Sequence, residues 1–409
     1  LTTLLSVPLQ LVLQSTEDQN ELMRDPISLY EALQRATERV HVFVQHGRIQ
    51  APRSDHLLYS LLEPMITEVN APRGGAFHPK VWVLRFTSVA GSDVQYRLLL
   101  ASKNLTSDRC WDVALSLDGS LGTDSDPNGL VIAGFVDILP GLASSAFKPS
   151  RSYRKVVSEL CRVAWELPEG FDTLRFHVLG MGEAAWQPAP SRRLVVISPF
   201  LGSKALKMLA KTSEIPVAVI SRSESFTELG GDMPFRDAYV LHDAAETEDG
   251  EDEVAYSHEI GLHAKAYMYQ AEQTTHLAVG SANATDAALV ARNNVEILAE
   301  LSGPTYKVGS VLNFLSKDQD SGLGQYLVPW SLADARETDA AAKENEKKLE
   351  RAREALLAAK LTLHCRKEDD AWQLDLEPAG TIELPELKRL QIWPVTVGAD
   401  RAVDAAALA

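Results

Sequence analysis

Cysteine is scarce in this chain of 409 residues: Cys110, Cys161 and Cys365 are odd in number and far apart. That excludes a disulfide framework and zinc-type spacing, and it suits a reducing cytoplasm. No apolar run approaches the roughly 20 residues needed to span a bilayer, so no membrane role is expected. The Leu4 to Leu13 stretch lacks a basic flank and is interrupted by Pro8, so it reads as a buried strand and not as a signal peptide. Positive charge is also short, with 40 Lys plus Arg against 56 Asp plus Glu and a formal net charge of −16. Such a field repels polyanions, and any polyanionic ligand must be met by a local basic groove. Part of the acidity is concentrated in Glu246 to Glu253, which reads as a solvated loop outside any site.

What the chain does have is one small constellation written twice. The first copy is Phe77-His78-Pro79-Lys80 followed by Ala101-Ser102-Lys103-Asn104, and the second is Leu262-His263-Ala264-Lys265 followed by Gly280-Ser281-Ala282-Asn283. Within an extended run, His and Lys two apart point to the same face. A second apolar run then leads to a Ser-x-Asn turn, which brings a hydroxyl and an amide beside them. A nucleophile or proton donor, a cation and two neutral hydrogen-bonding groups together suit a phosphate. A single His-x-Lys in a strand is ordinarily an edge pair without chemistry; its repetition with the same sequel carries the functional reading. The other histidines, His41, His46, His56, His177, His242, His258, His276 and His364, do not share the pattern and read as structural or surface residues.

The repeat is larger than its motifs. Leu9 to Gln14 reads as a strand, Ser28 to Arg39 as a helix capped by Ser28, and His41 to Gln45 as a strand. Arg193 to Ile197, the Ser203-capped helix to Lys211, and Pro216 to Ile220 replay that order. Two homologous α/β lobes are the economical reading, spanning 1–150 and 186–330 and joined by a bridging helical segment at 151–185. Residues 331–409 form a C-terminal appendage: a long helix within Ala333 to Lys360, then short strands.

The double His-x-Lys and Ser-x-Asn pattern resembles the phospholipase D superfamily, over roughly residues 1–330. The resemblance implies two pseudo-symmetric lobes, each a mixed β-sheet flanked by helices, with one active site between them and neither metal nor cofactor. It implies that His78 and His263 are nucleophile and general acid/base, that Lys80 and Lys265 grip phosphate oxygens, and that Asn104 and Asn283 complete the cradle with help from Ser102 and Ser281. The family's later acidic residue, which orients a catalytic His, maps onto Glu296 and onto Asp112. Lipase-type members carry an Asp five residues after the motif Lys, where this chain has Arg85 and Gln270, so the resemblance leans to the nuclease branch.

Candidate groove cations are Arg73, Arg85, Lys103, Arg109, Arg222 and Arg292. Gly74-Gly75 before His78 suggests a flexible approach suited to a polymer or a lid. The expectation is a cytoplasmic phosphodiesterase cleaving nucleic acid, DNA ahead of RNA. By the resemblance, such an enzyme would work in a bacterial defence or restriction system, with a helicase or other subunit as partner or as a homodimer. The alternatives are a phospholipase or phosphatidyl transferase, and a nucleic-acid-binding scaffold for a helicase.

Overall fold

Two kinds of strand divide the chain's sheets. In Val94–Ala101 the residues Tyr96, Leu98 and Leu100 are buried while Gln95 and Arg97 are exposed, the period-two pattern of a sheet with one wet face. In Ser191–Ile197 and Ser213–Ile220 consecutive residues are buried, Leu194 to Val196 and Val217 to Ile220, because those strands are parallel and covered on both faces.

The computed structural model describes all residues except 1, 15–23, 50–54, 89–90, 92, 106–109, 183–184, 243–260, 318–321, 336–339, 370, 386, 388 and 405–409. The chain divides into two compact units, Leu1–Ile66 with Glu337–Ala409, and Thr67–Arg336. The second unit holds a four-stranded sheet in the order Val81–Thr87, Val94–Ala101, Ala114–Leu121, Val163–Trp165, antiparallel throughout. It also holds an eight-stranded mixed sheet. That sheet runs Leu327–Pro329, Asp237–Leu241, Ser213–Ile220, Ser191–Ile197, Ala266–Ala271, Thr274–Gly280, Glu296–Pro304, Thr173–Leu179. The stretch read as a bridge starts with the helix Arg151–Leu160, then supplies the last strand of the first sheet and an edge strand of the second. The chain is therefore a mixed α/β fold.

Each Ser-x-Asn turn follows a strand that pairs antiparallel with the strand after its own His-x-Lys. Val81 faces Leu100 in the first copy and Ala266 faces Val279 in the second. The motifs themselves lie just before those strands, not inside them, because their backbone groups are engaged elsewhere, as described below.

In the other unit, Thr2–Gln14 is a helix, where a strand was expected. Leu5, Leu9 and Val12 fall at helical spacing, and Val12 is buried with Leu33, Ala36 and Leu61. The next helix, Pro26–Thr37, is capped by Asp25, whose side chain accepts from the Ile27 N–H, and not by Ser28. The Ser203–Ala210 helix likewise begins after Gly202 with no side-chain cap; the Ser203 hydroxyl donates to Asp232. The C-terminal helix spans Ala340–Ala358 and precedes the hairpin Thr362–Glu368 with Ala371–Glu377.

Arg85, expected in a groove, serves the first lobe's packing instead. Its guanidinium donates twice to Glu159, at 2.6 and 3.1 Å, and the Tyr96 hydroxyl donates to the same carboxylate at 2.7 Å. Arg85 is held by an ion pair whose side chains are 18% and 10% exposed. Removing one partner strands the other charge, so Arg85→Ala is expected to cost about 3 kcal/mol in urea unfolding.

Candidate active site

Two backbone crossings create the site. The His78 N–H donates to the Val295 carbonyl at 3.0 Å, and the Val295 N–H donates to the Ala76 carbonyl at 2.9 Å. Reciprocally, the His263 N–H donates to the Trp111 carbonyl at 2.7 Å, while Gly261–Leu262 pairs in parallel with Cys110–Trp111. Each histidine is thus pinned to the residue just before the acidic residue of the other copy, Glu296 or Asp112.

The serines complete the symmetry. The Ser281 hydroxyl donates to Glu296 at 2.5 Å, its N–H bonds the Ile297 carbonyl, and the Ile297 N–H returns to the hydroxyl. Ser102 repeats this arrangement with Asp112 and Val113. Both serines are fully buried, so their hydroxyls serve the carboxylates and are not open to substrate.

Close packing fixes the crossings. A Cβ on Gly75 would lie 2.4 Å from the Asn293 carbonyl, so this glycine is needed for close approach, and the flexible hinge read from Gly74-Gly75 does not describe it. Gly280, at φ +154°, would place a Cβ 2.2 Å from the Ile297 carbonyl, just ahead of Ser281. Asn294, missed from the sequence, ties the crossing to the carboxylate: its carbonyl accepts from the Ala76 N–H at 3.0 Å and its amide donates to Glu296 at 3.2 Å. An asparagine beside an acidic residue gives no pattern by which to find it.

The side chains then depart from symmetry. His78 Nδ1 lies 3.1 and 3.0 Å from the two oxygens of the fully buried Glu296. His263 Nδ1 instead lies 3.0 Å from Lys265 Nζ, and each lysine also donates to the carbonyl of its own motif histidine at 2.7 Å. Burial brings Lys80 and Lys265 down to about 7, against the pull of Glu296 and Asp112. Burial, then the charges of Lys265, Arg222, Lys80 and His78, lower His263 to about 3. His78, Lys80, Asp112, His263, Lys265 and Glu296 therefore share one electrostatic environment.

Asn283 follows its turn half-buried, and its Oδ1 is buried with no hydrogen-bond partner among the described residues. Asn104 is exposed. Of the groove candidates, Arg73 is exposed and donates to the Gly182 carbonyl at 2.6 Å, while Lys103 and Arg292 are half-buried. Arg109 and the acidic run Glu246 to Glu253 lie outside the described residues. Arg222 does reach the site: its Nε donates to the Leu262 carbonyl at 2.8 Å, one residue before His263. His177 belongs to a separate polar cluster, with Nε2 2.6 Å from Glu300, to which the Trp186 indole also donates. Among the described residues no group of His, Cys, Asp and Glu is arranged to hold a metal ion, and no helix is long and apolar enough to cross a membrane.

The depressed lysines predict how an anion binds. Their folded-state values lie below the ordinary 10.5, so the empty protein gains stability as pH rises from about 7 toward that value. Sulfate does not titrate here, so its binding recharges the lysines and the protein takes up protons. Its affinity is expected to fall between pH 7 and 9, by up to about tenfold per unit for each recharged lysine. Titration calorimetry at pH 7, 8 and 9 checks this, and Lys80→Met should flatten the slope.

No protein-family model matches the chain, and no curated protein matches it. Among solved structures it is similar to a mutant of yeast tyrosyl-DNA phosphodiesterase 1, with TM-score 0.48 and 11% identity over 76% of this chain and 90% of that one. Another yeast tyrosyl-DNA phosphodiesterase structure gives TM-score 0.45 and 13% identity, over 72% and 86%. Phosphatidylserine synthase of Haemophilus influenzae gives TM-score 0.41 and 12% identity, over 83% and 87%. The chain's own geometry joins the two His-x-Lys copies through a reciprocal backbone crossing.

Proposed function

We propose that the chain is a phosphodiesterase of the phospholipase D type that cleaves nucleic acid, DNA ahead of RNA, through a phosphohistidine and without a metal. The observation that carries this reading is the opposite hydrogen bonding of two histidines beside two buried lysines. At His78 the carboxylate of Glu296 accepts the hydrogen bond of Nδ1–H, which leaves a lone pair on Nε2 for attack. At His263 the ammonium of Lys265 donates to Nδ1, which leaves a proton on Nε2; a leaving oxygen can take that proton as a Lys265 proton passes to Nδ1, so the imidazole stays neutral.

The roles follow from these tautomers. The bond from His78 Nε2 to phosphorus forms as the bond to the leaving oxygen breaks, and that oxygen takes the Nε2 proton of His263 while a Lys265 proton moves onto Nδ1. Water then gives a proton to His263 Nε2, whose Nδ1 proton returns to Lys265, and attacks phosphorus as the bond to His78 breaks. Lys80 and Lys265 stabilise the charge gathering on the phosphate oxygens. Glu296 holds the imidazole of His78 and supports its positive charge in the intermediate. The role in bacterial defence and the helicase partner are carried by the family resemblance alone.

Turnover of an oligonucleotide is expected to persist in EDTA. His78→Ala and His263→Ala should each abolish it, because the histidines act as a unit. Glu296→Gln should lower kcat by about 10⁴-fold, the usual loss when an amide replaces the carboxylate that holds a catalytic imidazole in its tautomer. With a nitrophenyl phosphodiester, whose leaving group needs no proton, His263→Ala should accumulate phosphate on His78, read by mass spectrometry under alkaline quench. Phosphate found on His263 of the His78→Ala variant instead would reverse the assignment. A strict Mg²⁺ requirement, or hydrolysis of phospholipid vesicles but not of oligonucleotides, would overturn the reading.

A further inference from the structure

We propose that Phe200 is a stacking platform for one unpaired nucleobase next to the scissile phosphate, an inference that rests on the nuclease reading. Phe200 follows the strand Ser191–Ile197, at the sheet edge that also carries Arg222, Lys265 and the Ser281 turn. Its backbone is fastened to that turn. The Ser198 hydroxyl donates to the Phe200 carbonyl at 2.7 Å and accepts from the Ala284 N–H at 2.9 Å, one residue after Asn283. The Leu201 N–H donates to Ser225 and the Gly202 N–H to the Ala284 carbonyl, at 3.0 and 2.8 Å.

Although the loop is held on both sides, the Phe200 residue is 47% exposed while Ser198 and Pro199 are buried. A single exposed phenylalanine on a protein surface needs no explanation. This one is distinguished by its neighbour: the Arg222 guanidinium carbon lies 5.3 Å from the ring centroid, within cation–π range. Arg222 is also bonded to the carbonyl before His263, and its charge acts on His263 and Lys265. One side chain therefore links the ring to the pocket.

The occupant is a base and not an acyl chain, because a cation over the ring suits the charged backbone that a base carries with it. The base is unpaired, because within a duplex its faces are covered by neighbours.

The test compares nitrophenyl esters of thymidine 5′-phosphate and thymidine 3′-phosphate, each against its abasic deoxyribose counterpart, so that the bond cleaved is known. For at least one polarity the chain should favour the base-bearing ester by on the order of tenfold in kcat/KM, the usual worth of one stacked base. Phe200→Ala should bring that ratio near one, and Phe200→Trp should keep it. The ratio is internal to each variant, so loss of folded protein cannot mimic the result. A wild-type ratio near one at both polarities, or a Phe200→Ala variant that loses both esters in parallel, overturns the platform while leaving the nuclease reading standing. If wild-type chain hydrolyses vesicle phospholipid and none of the four esters, the nuclease reading itself falls.

Discussion

The site depends on a reciprocal exchange of backbone hydrogen bonds. Neither His-x-Lys segment lies within its own strand; each is drawn out to meet the segment preceding the other copy's acidic residue. The two N–H to carbonyl bonds set where the histidines sit, and the carboxylates, serines and Asn294 are aligned from there. Gly75 is required because Asn293 comes so close to it. A change of a few tenths of an ångström at the first crossing would move the His78 imidazole relative to Glu296, and the chemistry tolerates little such displacement.

Charge supplies the second constraint. Lys80, Lys265 and Arg222 act on one another and on His263, against two carboxylates, Glu296 and Asp112. Holding two lysines this deep is unfavourable in the empty protein, as their lowered values record. Binding energy from the anion offsets that cost, so the pocket is organised for an occupied state.

The motifs were legible in the sequence because they are repeated: His78, Lys80, His263 and Lys265 were readable from spacing alone, and the strand after each and the serine at the next strand's end came with them. Less was legible where the structure depends on contact between distant segments. The pairing of His78 with Glu296 joins residues 218 apart, and the support from Asn294 and the placement of Arg222 leave no local pattern. Arg85 was misread as a groove cation because an exposed and a paired arginine look alike until Glu159 is placed beside it. The helix Thr2–Gln14 was misread as a strand because a short apolar run fits either period, and Pro8, which sits inside the helix, pointed away from it.

The crossing also bears on how such a protein can be divided or duplicated. Each copy carries a histidine whose backbone is held by the other copy, and the second copy's Glu296 serves the first copy's His78. A gene encoding either half alone would specify the motif without the alignment, unless two such halves met and exchanged the same bonds. Competence in this architecture belongs to the pairing of halves, so a substitution in one half is felt first in the chemistry of the other.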